Sequence, residues 1–432
     1  MSFRSSEYLQ RNEMVRYQLD DVIRMPANNQ HQQKTGYKFT INDRSAFYDW
    51  YNAYFEIQFR LNQLDGGGGF TEGVADNTGA TTLINGAHSL INQMTIKSAG
   101  KIVYDTSNLH KVTFVKNLLE YSDDFSRTVA KNSFWYLDTN DDNRAVDAGT
   151  NQGFLTRRLL TAADKDVNVI IPLNRYSFFE ELEGRMLVPM QLQFNIILQN
   201  DDELIYKHAA AADGRVVVNR FLLWIPKLTP KDDMYDKFIN SYLSSGSWKY
   251  LREMYEVSAP TNSSGFFQIS SSVDNVKHIF VYLQRAKTNN AAQNPYLFDT
   301  YKLQVAANHG NVDRYLTTCR LEYGNGVFYP ETEYDSESKI RIFIDLMSYA
   351  MRKNDCNTGT QLNTSNYNSL YPLIYFDLTY QADKVTRDPK QLIFRYKINA
   401  DTQQADAFSV HAIVIYDQTV VINKIGEELV IV

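Results

Sequence analysis

From Tyr37 onward the chain alternates apolar and polar residues. Tyr37, Phe39 and Ile41 are spaced by two, and so are Phe55, Ile57, Phe59 and Leu61. A period of two sends one set of side chains to each face of a strand, so these runs predict strands with one buried and one wetter face. Met94–Tyr104 predicts two short strands around an Ala99-Gly100 turn. Val167–Leu173 is a strand closed by proline. Met186–Gln199 is a long strand with Leu192, Phe194, Ile196 and Leu198 on one side and Pro189 at its edge or start. Further strands are expected at Arg215–Ile225, Trp248–Val257, Gly265–Ser271, Lys277–Gln284, Tyr301–Ala306 and Tyr315–Tyr323. The last are expected at Leu373–Tyr380, Gln391–Lys397, Phe408–Tyr416, Thr419–Asn423 and Glu428–Val432.

The period changes to three and four in a few places. Leu109, Val112, Val115, Leu118 and Leu119 predict a helix over Leu109–Tyr121, and Ile340, Phe343, Ile344, Met347, Ala350 and Met351 predict another over Ser336–Arg352. Ser177–Leu182 suggests a short helical turn. Thr229-Pro230-Lys231-Asp232 has the chemistry of a helix start, with Thr229 as N-cap, and that helix would run to Leu243. Residues 1–34 are polar and form an N-terminal arm, either helical over Ser6–Arg24 or a disordered tail. Polar loops are expected at 65–80, 138–152, 286–298 and 354–370.

In each half a pair of strands precedes a long helix: Asn92–Tyr104 before Leu109–Tyr121, and Tyr315–Phe328 before Ser336–Arg352. Two similar β-domains meeting near residues 213–228 follow from this parallel. The length of 432 residues agrees with two all-β domains of about 200 to 250 residues each, or with three of about 150. With 29 Tyr and 24 Phe, the composition supports strands.

Charge narrows the function. Lys and Arg total 44 against 50 Asp and Glu, for a net charge of -6. A dedicated nucleic-acid binder carries a basic excess, so no direct sequence-specific nucleic-acid partner is expected. Cys319 and Cys356 are too few for a disulfide scaffold. Residues 1–25 lack the apolar centre of a secretory signal, and no run approaches the roughly 20 residues of a membrane span. The sequons at Asn262 and Asn363 are therefore read as chance.

Nothing in the sequence asks for an enzyme. The histidines His31, His88, His110, His208, His278, His309 and His411 form no metal-ligand spacing, and His411 reads as a packed or edge residue. Gly66–Gly69 has no Lys-Ser/Thr after it, so it is no phosphate loop. Asp138, Asn140 and Asp142 begin like a calcium loop, but Asn143 and Gly149 stand where Gly and Glu are required. Glu180-Glu181 and Asp201-Asp202-Glu203 read as surface charges. No catalytic, cofactor-binding or metal residue is assigned.

Five phrases, in order, resemble the double jelly-roll major capsid proteins of the Polinton, adintovirus and Polinton-like virus group, within the adenovirus–virophage lineage. They are Ile171-Pro172-Leu173 with Phe178-Phe179-Glu180, and Met190–Leu198 with Asp201–Ile205. Leu223-Trp224-Ile225-Pro226, Tyr323-Gly324-Asn325-Gly326-Val327-Phe328-Tyr329-Pro330 and Ala412–Asp417 complete the set. The likeness covers roughly residues 35–432.

The resemblance implies an all-β chain of two consecutive eight-stranded jelly rolls, 35–213 and 214–432, after the arm 1–34, with a few flanking helices. It implies a non-enzymatic capsid role without cofactors. Homotrimers of nearly hexagonal outline would tile an icosahedral shell around double-stranded DNA. Partners would be the chain itself, neighbouring capsomers, penton and other minor capsid proteins. Location would be the virion, assembled in the host cytoplasm or nucleus. The long loops would gather at the outer face, the arm at the inner face or in a neighbour, and aromatic residues at the flat sides. Two rival readings are a carbohydrate-binding or attachment jelly roll and a β-sandwich glycosidase, the latter requiring two carboxylates facing each other across a cleft.

Overall fold

The computed structural model describes residues 9–17, 21–24, 35–42, 47–64, 70–71, 81–139, 151–162, 165–183, 187, 190–207, 214–230 and 247–269. Toward the C-terminus it describes 273, 275–285, 296, 298, 315–324, 326–335, 338–353, 359–379, 391–399, 407–423 and 428–431. The first half contains β1 (Leu9–Tyr17), β2 (Asp21–Arg24), β3 (Thr35–Ile41), β4 (Phe47–Tyr48), β5 (Tyr54–Leu64), β6 (Phe70–Thr71), β7 (Thr81–Leu83), β8 (Ile91–Ser98) and β9 (Lys101–Thr106). Helices α1 (Leu109–Glu120), α2 (Asp123–Arg127) and α3 (Gln152–Thr161) follow. Then come β10 (Val167–Pro172), α4 (Ser177–Glu180), β11 (Leu192–Leu198), α5 (Asp201–Leu204), β12 (Ile205–Lys207) and β13 (Gly214–Pro230).

The second half contains β14 (Ser247–Val257), β15 (Gly265–Ile269), β16 (Val276–Arg285), β17 (Tyr315–Tyr323) and β18 (Val327–Asp335). After α6 (Lys339–Lys353) and α7 (Thr364–Ser369) come β19 (Ile374–Asp377), β20 (Leu392–Asn399), β21 (Phe408–Asn423) and β22 (Glu428–Ile431).

Strand pairing gives two sandwiches of one topology. The first pairs β1-β13-β5-β10 in one sheet and β2-β3-β11-β8-β9 in the other; the second pairs β14-β21-β16-β19 and β15-β20-β17-β18. Lettering eight strands B to I in chain order, with β1 and β14 as B, both sandwiches read B-I-D-G against C-H-E-F, the jelly-roll order. All of these ladders are antiparallel. In both, the connection from strand F to strand G carries the long helix: α1 in the first, α6 in the second.

The alternation read from sequence is the pattern that fills the cores. Phe39, Phe55, Phe194 and Phe221 are each 2% exposed or less. They meet across the first sandwich, with Phe39–Phe221 centroids at 5.4 Å and Phe55–Phe194 at 6.4 Å. Phe376 and Phe394 do the same across the second, at 6.2 Å. The β8–β9 turn closes on Ala99 and Gly100, whose φ angles of 46° and 85° make it the left-handed type that suits the twist of a hairpin.

Several expectations are corrected. Leu9–Tyr17 and Asp21–Arg24 are strands, not a helix or a tail: β1 pairs with β13, and β2 with β3. The loose apolar spacing there carried no helical stripe, and the open edges of both sheets offer backbone partners. Thr229 and Pro230 start no helix; they end β13, opposite Gln10 and Leu9. The rest of that expected helix, like the strand at Tyr301–Ala306, lies outside the described residues. Gly214–Pro230, read from sequence as opening the second half, pairs with β5 and β1 of the first. The segments 408–416 and 419–423 form one strand. The loop at 354–370 contains α7, whose first turn is capped by Asn363 in a capping box.

Phe194 stacks on Phe179 at 5.9 Å and on Trp50 at 5.7 Å, with no exposed surface. Phe194→Ala is expected to destabilise the fold by about 3–5 kcal/mol, since the strands cannot close over the void. Equilibrium urea unfolding followed by tryptophan fluorescence measures it; a loss below about 1 kcal/mol would contradict this packing.

Candidate functional site

The described residues bring their densest buried polar chemistry to the junction of the two sandwiches. Edge strand β14 of the second lies beside edge strand β9 of the first. Tyr250 Oη donates to the carbonyl of Val103 at 2.9 Å, Arg252 Nη2 to that of Asp105 at 2.7 Å, and Thr106 Oγ1 to that of Glu253 at 3.4 Å. Trp248 and Tyr250 project into the first core against Phe178, at 5.9 and 5.6 Å.

Glu253 is 2% exposed and takes its partners from the first sandwich. Lys116 Nζ lies 3.1 Å from its Oε1 and 2.9 Å from Glu180 Oε2. Ser177 Oγ and Tyr104 Oη donate to its Oε2. Burial opposes the charge on Lys116, but Glu180, Glu253 and Glu120 outweigh it and raise its pKa above the ordinary lysine value. Beside it, Arg175 pairs with Glu120, donates to Asn117 Oδ1 at 2.9 Å and lies over the Tyr121 ring at 4.9 Å. Tyr349 of α6 reaches Glu120 at 3.4 Å.

The F–G connections of the two halves interlock. Trp135 Nε1 donates to Gln361 Oε1 at 2.7 Å, and Gln361 Nε2 donates to the carbonyls of Asn117 and Tyr121 at 3.0 and 3.2 Å. Eleven of the twelve residues of α1 are buried, and Val112, Phe114, Val115, Leu118 and Leu119 belong to the core of the second sandwich. The helix expected to flank its barrel is instead enclosed between the two. A second buried pair, Arg157–Asp138 at 2.8 Å, holds α3; Arg157 also donates to the carbonyls of Leu83 and Tyr136.

These contacts account for residues that the sequence left unassigned. Asp138, the head of the rejected calcium pattern, accepts from Arg157 and from Asn151 at 2.9 Å; Asn140 and Asp142 lie outside the described residues. Glu180 is a junction carboxylate, not a surface charge. Asp201 accepts from the Val216 amide at 2.9 Å, and burial pushes its carboxyl up to about 6. His411 is buried, stacked on Tyr282 at 4.8 Å. Tyrosines expected at exposed sides are largely internal: Tyr104, Tyr176, Tyr250, Tyr282, Tyr296, Tyr371 and Tyr375 are nearly inaccessible. Among the described residues no group of three or more His, Cys, Asp or Glu could hold a metal ion, and no helix is long and apolar enough to cross a membrane.

Large apolar side chains do remain bare on α6: Ile340 is 71% exposed, Ile344 56% and Met351 66%. Their spacing of four and seven puts them on one stripe. The site thus comprises a buried, hydrogen-bonded internal junction and an exposed apolar face.

Solved structures share this fold. A chain in the cryo-EM structure of the Sputnik virophage matches over 97% of this chain and 88% of that one, with TM-score 0.61 and 10% identity. The Faustovirus major capsid protein matches over 95% and 90%, with TM-score 0.57 and 10% identity. The chain has the double jelly-roll fold. The mavirus major capsid protein has it too, over 97% of this chain and 90% of that one, with TM-score 0.52 and 10% identity. No protein-family model and no curated protein sequence matches. In this double jelly roll the two sandwiches are joined by charge as well as by apolar packing.

Removing one partner of a buried ion pair strands the other. Glu253→Gln is expected to cost about 3–5 kcal/mol, and Lys116→Met a similar amount. The double variant should lose clearly less than the sum, which urea unfolding of all four proteins will show; strict additivity would deny the coupling.

His88 supplies a pH dependence. Burial, helped by the charge of Arg175, pushes its imidazole down to about 3. The unfolded chain takes up this proton near pH 6.5 and the folded chain does not. Stability present above pH 6.5 should therefore fall as the pH drops toward 3, by about 1.4 kcal/mol per pH unit from this residue. His88→Asn should flatten that part of the stability profile; an unchanged slope would contradict it.

Proposed function

We propose that this chain is a major capsid protein that assembles as a homotrimer, whose sandwiches form a nearly hexagonal capsomer tiling an icosahedral shell around double-stranded DNA. One observation carries the reading: two sandwiches of B-I-D-G/C-H-E-F order in one chain match capsid proteins over almost the whole length of both partners. A fold-level likeness of this extent includes the arrangement of the sandwiches, which is what sets the outline of a capsomer.

The role is adhesive, with no turnover. The buried carboxylates described above are occupied by structural partners, which supports a framework over a reaction centre. The net charge of -6 suits a shell that leaves contact with the genome to other proteins. Neighbouring capsomers and minor capsid proteins at the vertices are the expected partners. The finished protein resides in the virion after assembly in the host cytoplasm or nucleus. We divide the two units after Pro230, a choice supported by the pairing of β13 with β1 and β5.

The purified chain should elute as a trimer of about 150 kDa, three times the chain mass of 49.9 kDa, in size-exclusion chromatography with light scattering. Negative-stain images should show particles of hexagonal outline. A stable 49.9 kDa monomer at all concentrations would sink the proposal.

A further inference from the structure

Between β7 and β8 the chain makes a tight turn through Ala87–Leu90, and its backbone is tied down. Ile84 N donates to the Leu204 carbonyl at 2.8 Å, Gly86 N to that of Phe134 at 3.0 Å, and Ser89 N to that of Gly86 at 3.1 Å. Three side-chain atoms on the same stretch have no hydrogen-bond partner among the described residues: Asn85 Nδ2, His88 Nε2 and Ser89 Oγ. Their residues are 1%, 4% and 0% exposed. The orientation of the Asn85 amide is fixed by its other end, because Oδ1 accepts from the Tyr136 amide.

The turn brings these groups together. Gly86 has a φ of 87°, and a Cβ there would lie 2.1 Å from His88 Cε1. The imidazole therefore folds back over the Gly86 backbone, beside Asn85, with Ser89 next in the chain. Only glycine permits this, since it tolerates the left-handed conformation and puts no side chain in the way. The other faces of the imidazole meet rings: Trp135 at 5.7 Å, Phe114 of α1 at 6.2 Å and Tyr296 of the second half at 5.8 Å. Trp135 Nε1 is spent on Gln361, and Tyr296 Oη donates to the carbonyl of His110.

Polar atoms left bare in such a setting cost more than a made hydrogen bond returns, so buried ones are almost always paired. The chemistry of the set selects the partner. Asn85 Nδ2 only donates, Ser89 Oγ donates and accepts, and each nitrogen of a neutral imidazole does one or the other. Burial and the charge of Arg175 hold His88 neutral. A metal ion has no use for an amide N–H. An anion finds no free cation, because Arg175 is engaged by Glu120. A water molecule both donates and accepts, and internal waters make about three hydrogen bonds.

We propose that Asn85 Nδ2, His88 Nε2 and Ser89 Oγ bind an internal water molecule beside α1, where the first sandwich meets Tyr296 of the second. The water completes the polar side of a contact whose apolar side is the Phe114–Tyr296 stack at 4.3 Å. The site is independent of the capsomer reading.

The test uses the full chain in its native assembly, in buffer free of chloride, sulfate and phosphate. A high-resolution crystal or cryo-EM map should show a peak within about 3.2 Å of all three atoms. A map without that peak overturns the assignment, and so does a peak that appears only when chloride is added. Ser89→Ala gives a second reading, of opposite sign for a wet and a dry turn. In a wet turn it takes one partner from the water, so the urea midpoint should fall and the unfolding constant should rise about fivefold. In a dry turn it removes a bare hydroxyl, and a midpoint that holds or rises overturns the water. Should Ser89→Ala fail to fold, the wild-type map decides.

Discussion

A carboxylate that is 2% exposed costs several kcal/mol unless its partners are held ready, and Glu253 finds every one of them on the other sandwich. The lysine comes from α1, the serine from α4 and the tyrosine from β9. These elements can converge only if the F–G connection folds back over the edge of its own sandwich and β14 lies along β9. Alternative relative placements of the sandwiches would leave Lys116 and Glu253 buried without each other. Apolar packing alone tolerates sliding; the ion pair penalises it. The geometry between the two halves is therefore set by charge and filled in by aromatic residues.

The same constraint explains where the tyrosines went. Two isolated sandwiches would have two thin cores. Here the interlocked F–G connections create a further interior, and its lining must be both apolar and able to satisfy buried backbone and carboxylate groups. Tyrosine offers a large ring with one hydroxyl. Tyr104 and Tyr349 put that hydroxyl on Glu253 and Glu120, and Tyr296 reaches the carbonyl of His110 at 3.4 Å while its ring stacks on Phe114 at 4.3 Å. The aromatic excess of the composition is thus mainly an internal cost of joining two sandwiches, and α6 presents isoleucine and methionine, not tyrosine, to the outside.

Strands with one face on a core were legible because burial writes a period of two: β5 and β11 follow their alternation residue by residue. The helices α1 and α6 were legible for the matching reason. What escaped was long-range pairing. Leu9–Tyr17 holds no clean period, and its strand identity comes from β13, more than two hundred positions away. Thr229-Pro230 has real helix-start chemistry, overridden by the ladder to Leu9 and Gln10. The junction was invisible for the same reason. Lys116 sits in a helix that reads as amphipathic, Glu253 is one of several charges in a strand, and nothing local links positions so far apart. Glu180 looked like half of an adjacent acidic pair because its cation lies on another element. The buried Asp138–Arg157 pair was hidden by the polar run around it.

Joining the sandwiches covalently changes what assembly must supply. Head-to-tail contacts close into a ring only if the rotation per contact divides the circle; otherwise they run on as a filament. In a ring built of single sandwiches, every contact would carry the full entropic cost of association. In a ring of double jelly rolls, alternate contacts are already made inside each chain, where tethering holds the partner at high effective concentration. These internal contacts can also contain buried charge, because they form once, during folding. The contacts between copies must form from folded, water-exposed surfaces. A buried carboxylate waiting in solvent would have to be desolvated at each encounter, which favours an apolar stripe of the kind α6 carries. The junction around Glu253 is a contact of the first kind, closed within one chain while it folds.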